Sequence, residues 1–283
     1  MEYISCTKPN SNKIVNMTLE FWIVSSLEHI AVILNSQQEN GISLPESFRS
    51  KLTALSEKLS EVLTEVKRNY LISPRNLILD FLNVNRFFIN ILERMKFEVI
   101  NGMPIPYQFV IHLIYEQEYA SEIFRMNTSI PSSNKCPSYP IIKFNAPMFS
   151  GSVIYCICSS IYFWSIIAAE HTDFLMNLIP MKVKNSYGAE HILNSYRSKF
   201  NNICYIISEI KDMTNDEIYA ILQDFSKYSN TILSLIYEVY GTGITDKILD
   251  TSPEYPNNII KHIANEHLYI KALCEDFEKY LKK

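Results

Sequence analysis

The sequence predicts an all-α fold, and three observations point to it. The 283 residues include only six glycines, about a third of average usage, although strands, hairpins and phosphate-binding loops need glycine where the backbone turns tightly. Hydrophobic residues make up 47% of the chain and charged residues 20%, which supplies a large core and excludes disorder as the main state. Helix start and stop signals divide the chain into eight long segments.

The first four predicted helices each open near a serine, asparagine or proline, which are residue types that suit a helix start. Asn16 opens the first helix, Pro45 the second and Pro74 the third. The four helices are predicted over residues 16–34, 45–70, 74–97 and 105–126.

The second four predicted helices are separated by proline and glycine, which interrupt helices. Pro180 and Gly188 lie in the first break, and Gly241, Gly243 and Pro253 lie in the last. These helices are predicted over residues 153–179, 189–213, 216–239 and 255–281.

An irregular connection separates the two sets of helices. It holds Pro131, Pro137, Pro140 and Pro147 together with several serines and asparagines. The sequence therefore predicts a first four-helix repeat over 1–128, a crossover linker over 129–152 and a second four-helix repeat over 153–283.

Three short motifs occur once in each half and in the same order. They are Phe-Trp followed after five residues by Glu-His, Ser-aromatic-Arg-Ser-Lys, and His-x-x-x-Glu-x-x-Tyr. They occupy residues 21–29 and 163–171, 47–51 and 195–199, and 112–119 and 262–269. Their offsets are 142, 148 and 150, a slow growth that small loop insertions produce. The sequence therefore predicts two tandem four-helix bundles related by internal duplication.

The third motif has the spacing of metal ligands. Residues four apart on a helix lie on one face, so His112 with Glu116, and His262 with Glu266, each present an imidazole beside a carboxylate. A buried carboxylate is costly unless it is paired or bound to a cation. The alternative is a His–Glu hydrogen bond on a helix surface.

The first motif adds a second pair of candidate ligands to each half. Glu28-His29 and Glu170-His171 follow the Phe-Trp pair by seven residues and so repeat the helical phase of two aromatic residues. We expect these side chains to line the same inner arc as the aromatic residues. In the alternative interpretation, the histidines are core residues whose ring nitrogens have hydrogen-bond partners, and the glutamates lie at the rim of the buried helix face.

Each repeat would then offer two imidazoles and two carboxylates from its first and fourth helices. These ligand types suit Fe, Mn or Zn better than Ca or Mg, and we expect about one or two ions of iron or manganese per chain. Tyr119 and Tyr269 follow the carboxylates by one turn and are expected to pack in the core, or to hydrogen-bond a ligand. His267 stands beside the second motif without a histidine at the matching place in the first.

The order of these motifs resembles an uncharacterised ferritin-like family of bacilli and clostridia whose members contain two four-helix repeats. The resemblance spans nearly the whole chain, although the third helices match poorly. It implies two ferritin-like bundles with iron in their cores. It implies no settled activity.

Three classes of function follow from these features. The first is a metal-binding ferritin-like protein with an oxidoreductase or metal-handling role. The second is a hemerythrin-like module that binds a small gas, and the third is a metal-free helical scaffold. No nucleophile motif or phosphate-binding loop is present, so the sequence leaves open whether the protein is an enzyme.

Composition also bears on partners and location. The net charge is −4 with no basic stripe, so nucleic acid is not an expected partner. The uncharged run over 144–169 is interrupted by Pro147 and Gly151 and lacks flanking basic clusters, so we expect a buried core helix and no membrane span. The metal ion is the expected partner, and a homo-oligomer is left open.

The six cysteines are scattered along a chain without a recognisable secretory leader, so the sequence predicts no disulfide framework and a cytoplasmic location. Cys156 and Cys158 would point about 200° apart on a helix, unlike the thiols of a Cys-x-x-Cys zinc site. We therefore expect both to be buried apolar residues.

Overall fold

The computed structural model describes residues 11–35, 44–69, 73–99, 105–128, 153–178, 188–209, 214–240 and 255–282. Within these ranges the chain forms eight α-helices and no strand, so the all-α prediction is confirmed. The helices are α1 (Asn12–Asn35), α2 (Glu46–Arg68), α3 (Arg75–Val99), α4 (Tyr107–Thr128), α5 (Val153–Leu178), α6 (Ala189–Glu209), α7 (Asn215–Tyr240) and α8 (Tyr255–Leu281). The predicted linker over 129–152 lies outside the described residues.

Local signals explain where several helices begin. Ser11 caps α1, since its Oγ accepts a hydrogen bond from the Ile14 N–H at 3.3 Å; the helix therefore starts before Asn16, which is buried. Gly188 precedes α6 with φ of 59°, a conformation that favours glycine. Thr214 and Glu217 open α7 with a capping box: Thr214 Oγ1 accepts from the Glu217 N–H at 3.3 Å, and Glu217 Oε2 accepts from the Thr214 N–H at 2.8 Å.

The chain divides into two compact units, one with α1 to α4 and the other with α5 to α8. In the first unit each helix packs against the next along the chain, and α4 returns to pack against α1. The second unit has the same order of contacts, with α8 packed against α5 and a further contact between α5 and α7. In each unit the first and last helices are therefore neighbours, as the ligand motifs require.

Matched aromatic pairs join the first and last helices of each unit. Trp22 of α1 lies 6.0 Å from Tyr119 of α4, and Trp164 of α5 lies 5.3 Å from Tyr269 of α8, measured between ring centroids. Both tryptophans are almost fully buried. Tyr269 is fully buried in the core, as the sequence predicts, whereas Tyr119 is half-buried beside Trp22.

Two apolar helices bear on the membrane question. Helix α5 contains the described part of the uncharged run and buries Ile157, Ile161, Trp164 and Ile167. Among the described residues, α1 is long and apolar enough to span a membrane by length and composition, and 56% of the relevant window is buried. Core helices of soluble proteins and signal sequences share these properties.

The prediction for one cysteine is wrong. Cys158 is buried and reduced, but Cys156 is half-buried and disulfide-bonded. Helical spacing gives the direction of a thiol within its own helix and carries no information about a distant partner. Disulfides persist mainly in oxidising compartments, so the cysteines no longer support a cytoplasmic location, which stays a prediction.

Candidate metal centre

Two histidines and one glutamate meet in the core of the first unit. Glu116 Oε2 lies 3.0 Å from His29 Nε2 of α1, and Glu116 Oε1 lies 3.2 Å from His112 Nε2, one turn earlier on α4. None of the three side chains is more than 1% exposed. The helix period places His112 beside Glu116, and the packing of α1 against α4 brings His29 to the same carboxylate.

The second unit repeats this arrangement with the corresponding residues. Glu266 Oε2 lies 3.0 Å from His171 Nε2 of α5, and Glu266 Oε1 lies 3.3 Å from His262 Nε2, one turn earlier on α8. All three side chains are at most 5% exposed. Each unit therefore contains one buried triad of two imidazoles and one carboxylate.

The distance from each histidine nitrogen to its nearer glutamate oxygen matches the distance between two ligands of one metal ion. Two donor atoms about 2.1 Å from one ion, at an angle of about 90° to 109°, lie about 3.0 to 3.4 Å apart. These buried His and Glu side chains could hold a metal ion.

The electrostatics of the first triad favour an ionised carboxylate. Burial acts to raise the pKa of the Glu116 carboxyl, but the positive charges that His112 and His29 can carry outweigh it and bring the pKa well below its usual range. An anionic oxygen in a site shielded from water is a strong ligand for a divalent cation.

Polar side chains on the far side of the candidate ligand histidines, away from the carboxylate, hold the orientation of these histidines. In the first unit Gln117 places its carboxamide 3.1 Å from His29 Nδ1 and 2.8 Å from Ser26 Oγ. Asn85 of α3 donates a hydrogen bond to the main-chain oxygen of Gln117 at 2.7 Å and another to Ser121 Oγ at 2.9 Å. The third helix thus supports the fourth beside the triad.

In the second unit a histidine takes the place of this glutamine. His267 Nε2 lies 3.4 Å from His171 Nδ1, and His267 Nδ1 lies 2.7 Å from Ser229 Oγ of α7. Burial lowers the pKa of His267 to about 3, so the ring is neutral near neutral pH. Gln117 and His267 each follow the ligand glutamate directly, at the offset of 150 that relates the third motifs.

Sequence reasoning named His267 only as an isolated candidate and missed Gln117, Ser26, Asn85 and Ser229. Amides and hydroxyls are common in helices and carry no spacing signal of their own. The available signal was positional, since residues 117 and 267 both follow the glutamate of a repeated motif.

Glu28 and Glu170 are not members of the buried triads. Both are half-buried, and neither belongs to the groups of buried His and Glu in the described chain that could share an ion. Burial raises the pKa of Asp173 and the charge of Glu170 adds to this, while Arg197 lies 3.0 Å from Asp173 and opposes it. Glu170 therefore lies near the charged side chain of Asp173. Glu28 shares the helical phase of Phe21, which is also half-buried.

No family model, curated protein or solved structure matches this chain. The resemblance to a ferritin-like family stays a prediction drawn from the motifs.

Proposed function

We propose that this chain is a metal-binding protein built from two ferritin-like four-helix repeats, each holding iron or manganese through a His–His–Glu triad. The observation that carries the proposal is the recurrence of the triad. The same residue types, from the first and fourth helices of each unit, place the same atoms 3.0 to 3.3 Å apart. A single buried His–Glu pair is common, but two matched triads are not expected from packing alone.

Internal duplication accounts for this recurrence. The ligand histidines of α1 and α5 differ by 142 positions, and the ligands of α4 and α8 differ by 150. The supporting residues extend the match to the third helices, where Asn85 and Ser229 differ by 144 and each contacts the fourth helix of its own unit. We infer that one ancestral four-helix unit carried the site before it was copied.

The ligand set favours iron or manganese. Two imidazoles and one carboxylate occupy three coordination positions and leave others open, as in sites where a redox metal reacts. When bound, such a metal supplies redox or Lewis-acid chemistry. The chain itself holds the ligand atoms, orients the imidazoles through Gln117 and His267, and keeps the site away from bulk water because every ligand is buried.

The number of triads limits the number of ions. Glu116 turns one oxygen toward His29 and the other toward His112, and Glu266 divides its oxygens in the same way. One ion in a triad would draw its three side chains together. We propose one ion in each triad that binds metal, and therefore one or two ions per chain.

Elemental analysis of the purified protein tests the proposal. After growth with added iron and manganese, we expect stoichiometric transition metal in the wild type and a clear loss in the double variant His112→Ala with Glu116→Ala. The matched control changes Glu61→Gln, because this glutamate is exposed and pairs with Lys58 at the surface. Protein that retains its fold but contains only traces of metal would support the metal-free scaffold instead.

A further inference from the structure

We propose that a groove between α6 and α7 binds the ammonium group of an aliphatic amine against the carboxylate of Asp224. The groove has a volume of about 640 Å³, which is the size of a small-molecule site. Ser195, Ser198 and Lys199 of the second repeated motif line it, and its described lining includes none of the candidate metal ligands. The inference therefore rests on the repeated motifs and is independent of the proposed metal sites.

The lining of the groove combines an apolar surface with a carboxylate. Ile203, Ile206 and Ile221 supply the apolar surface, and Asp224 is exposed to solvent. Burial raises the pKa of the Tyr228 hydroxyl, and the charge and the hydrogen bond of Asp224 add to this. The hydroxyl thus donates to the Asp224 carboxylate and holds it in the groove. An apolar surface beside a carboxylate fits an alkyl chain that ends in an ammonium group.

The first unit shows which group lies at the corresponding place there. Lys58 Nζ of α2 lies 2.6 Å from Glu61 Oε2. The hydrogen bond and the charge of Glu61 raise the pKa of Lys58, and the charge of Asp80 on α3 adds to this. Helix α2 packs against α3 as α6 packs against α7. In the first unit an alkyl chain with an ammonium group therefore lies near the aspartate of the third helix.

The second unit retains the aspartate but not the lysine. Asp80 recurs as Asp224, at the offset of 144 that relates the supporting residues of the third helices. At the offset of 148 that relates the second motifs, Ile206 replaces Lys58, and this isoleucine lines the groove. The carboxylate thus stays while its neighbouring cation is lost. An amine from outside the chain restores this pairing.

The lysine that lines the groove does not take over this role. Lys199 Nζ lies 4.3 Å from the ring centroid of Tyr196 and 5.1 Å from that of Tyr228, so the two rings hold it by cation–π contacts. In the described part of the chain it forms no ion pair with a carboxylate. Its counterpart Lys51 occurs together with Lys58 in the first unit, so a lysine at this position is compatible with a second cation.

The first test compares two probes of equal chain length and opposite charge. Titration calorimetry of the full chain, with metal removed by chelation, measures the binding of pentylamine and of pentanoate. We expect pentylamine to bind at a single site and pentanoate not to bind. Binding of pentanoate alone, or of neither probe, would overturn the proposal.

A third probe identifies the source of the ammonium group. Nα-acetyl-lysine amide carries the same group on the side chain of a blocked amino acid. If it binds more tightly than pentylamine, the groove takes lysine side chains of peptides. If it binds more weakly, the groove takes free aliphatic amines.

The second test compares pentylamine affinity among variants. Asp224→Asn removes the charge but keeps the shape of the side chain, and loss of a hydrogen bond to a charged group costs about 10- to 100-fold in affinity. Ile206→Lys introduces the lysine of the first unit, and we expect it to prevent binding. Asp80→Asn is the matched control, since it makes the same change where Lys58 already lies nearby, and it should leave binding unchanged.

The outcomes separate this inference from the proposed function. Asp224 is exposed and Ile206 is half-buried, so both variants should fold, which circular dichroism verifies. Equal affinity for pentylamine in the wild type and in Asp224→Asn would show that the groove is not the binding site. Elemental analysis decides the metal sites separately, because their candidate ligands lie on other helices than α6 and α7.

Discussion

At the scale of single residues, the two units differ most in the side chain that contacts Nδ1 of the first-helix histidine. This side chain is Gln117 in the first unit and His267 in the second. Gln117 cannot titrate, whereas His267 can gain a proton once it is exposed to water. Because His267 is fully buried in the folded chain, its charged form is disfavoured there, and burial lowers its pKa to about 3. The two otherwise similar sites should therefore respond differently to acid.

The first prediction concerns this response in metal-free protein. An unfolded histidine has a pKa of about 6.5, so between roughly pH 6.5 and 3 the unfolded chain binds a proton that folded His267 does not. The free energy of unfolding should therefore decrease as the pH falls, by up to about 1.4 kcal/mol per pH unit from this residue. Urea unfolding of the chelated protein from about pH 7 to 5 measures the effect.

His267→Gln removes this dependence and copies the residue of the first unit. The variant should lose less stability on acidification than the wild type, by up to about 2 kcal/mol at pH 5. Other titrating groups are common to both proteins and cancel in the comparison. Parallel stability profiles for wild type and variant would show that His267 is protonated in the folded state.

At the scale of secondary structure, helix α7 shows how local sequence determines a boundary. Its capping box satisfies N–H groups that have no partner inside the helix. Hydrogen bonds from the main chain and the side chain of Thr214 hold the pKa of the Glu217 carboxyl below its usual value. The cap therefore involves both residues, and its removal should loosen the start of the helix.

We expect Thr214→Ala to lower the free energy of unfolding by about 1 kcal/mol, the usual effect of losing an N-cap side chain. The matched control is Thr231→Ala in the middle of the same helix, where the hydroxyl donates only to the Lys227 main-chain oxygen. Alanine favours a helix interior, so this change should be neutral or slightly stabilising. Equal losses in the two variants, measured by chemical denaturation, would contradict a specific role for the cap.

Much of the fold could be predicted from the sequence, because the residues that start and stop a helix act locally. All eight helices were expected, and α8 has the predicted bounds. The start of α1 was misplaced because Asn16 suits a cap by type, whereas its side chain lies in the core and Ser11 makes the capping hydrogen bond. Residue type alone could not reveal that burial.

The candidate site could be predicted only in part. The spacing of His112 and Glu116 identifies two members of the first triad, because residues four apart share a helix face. The prediction for Glu28 was weaker because it relied on Glu28 lying on the same side of α1 as Phe21. Both residues are half-buried, since the inward side of a helix is wide and its edges are only partly covered. The contacts of Gln117 depend on how three helices pack, which no single-helix pattern encodes.

At the scale of the whole molecule, the proposed function links metal binding to stability. A ligand that binds only the folded chain raises the free energy of unfolding by RT ln(1 + [L]/Kd), or about 2.7 kcal/mol at a hundredfold excess over Kd. Chelation should therefore lower the melting temperature of the wild-type protein. The difference between loaded and chelated samples reports on the sites themselves, because it cancels changes in packing.

The double variant His262→Ala with Glu266→Ala should reduce this difference, and so should His112→Ala with Glu116→Ala. The fourfold variant should abolish it, because it removes ligands from both triads. Calorimetry with and without chelator measures the effect, and elemental analysis confirms that the metal has been removed. An unchanged melting temperature for wild-type protein after complete removal would mean that its ions are adventitious.

The position of the ligands along the chain also sets the order in which a site can be built. His112 and Glu116 come together as soon as one turn of α4 forms, but His29 and its support Gln117 are 88 positions apart. Closing so long a loop is slow and entropically costly, so the third ligand arrives only when α1 docks. A nascent α4 would offer the proposed ion only two ligands, and the third would be added when the bundle closes. Under the proposed function, incorporation of the metal would therefore be a late event in the biogenesis of this protein, after the chain has folded.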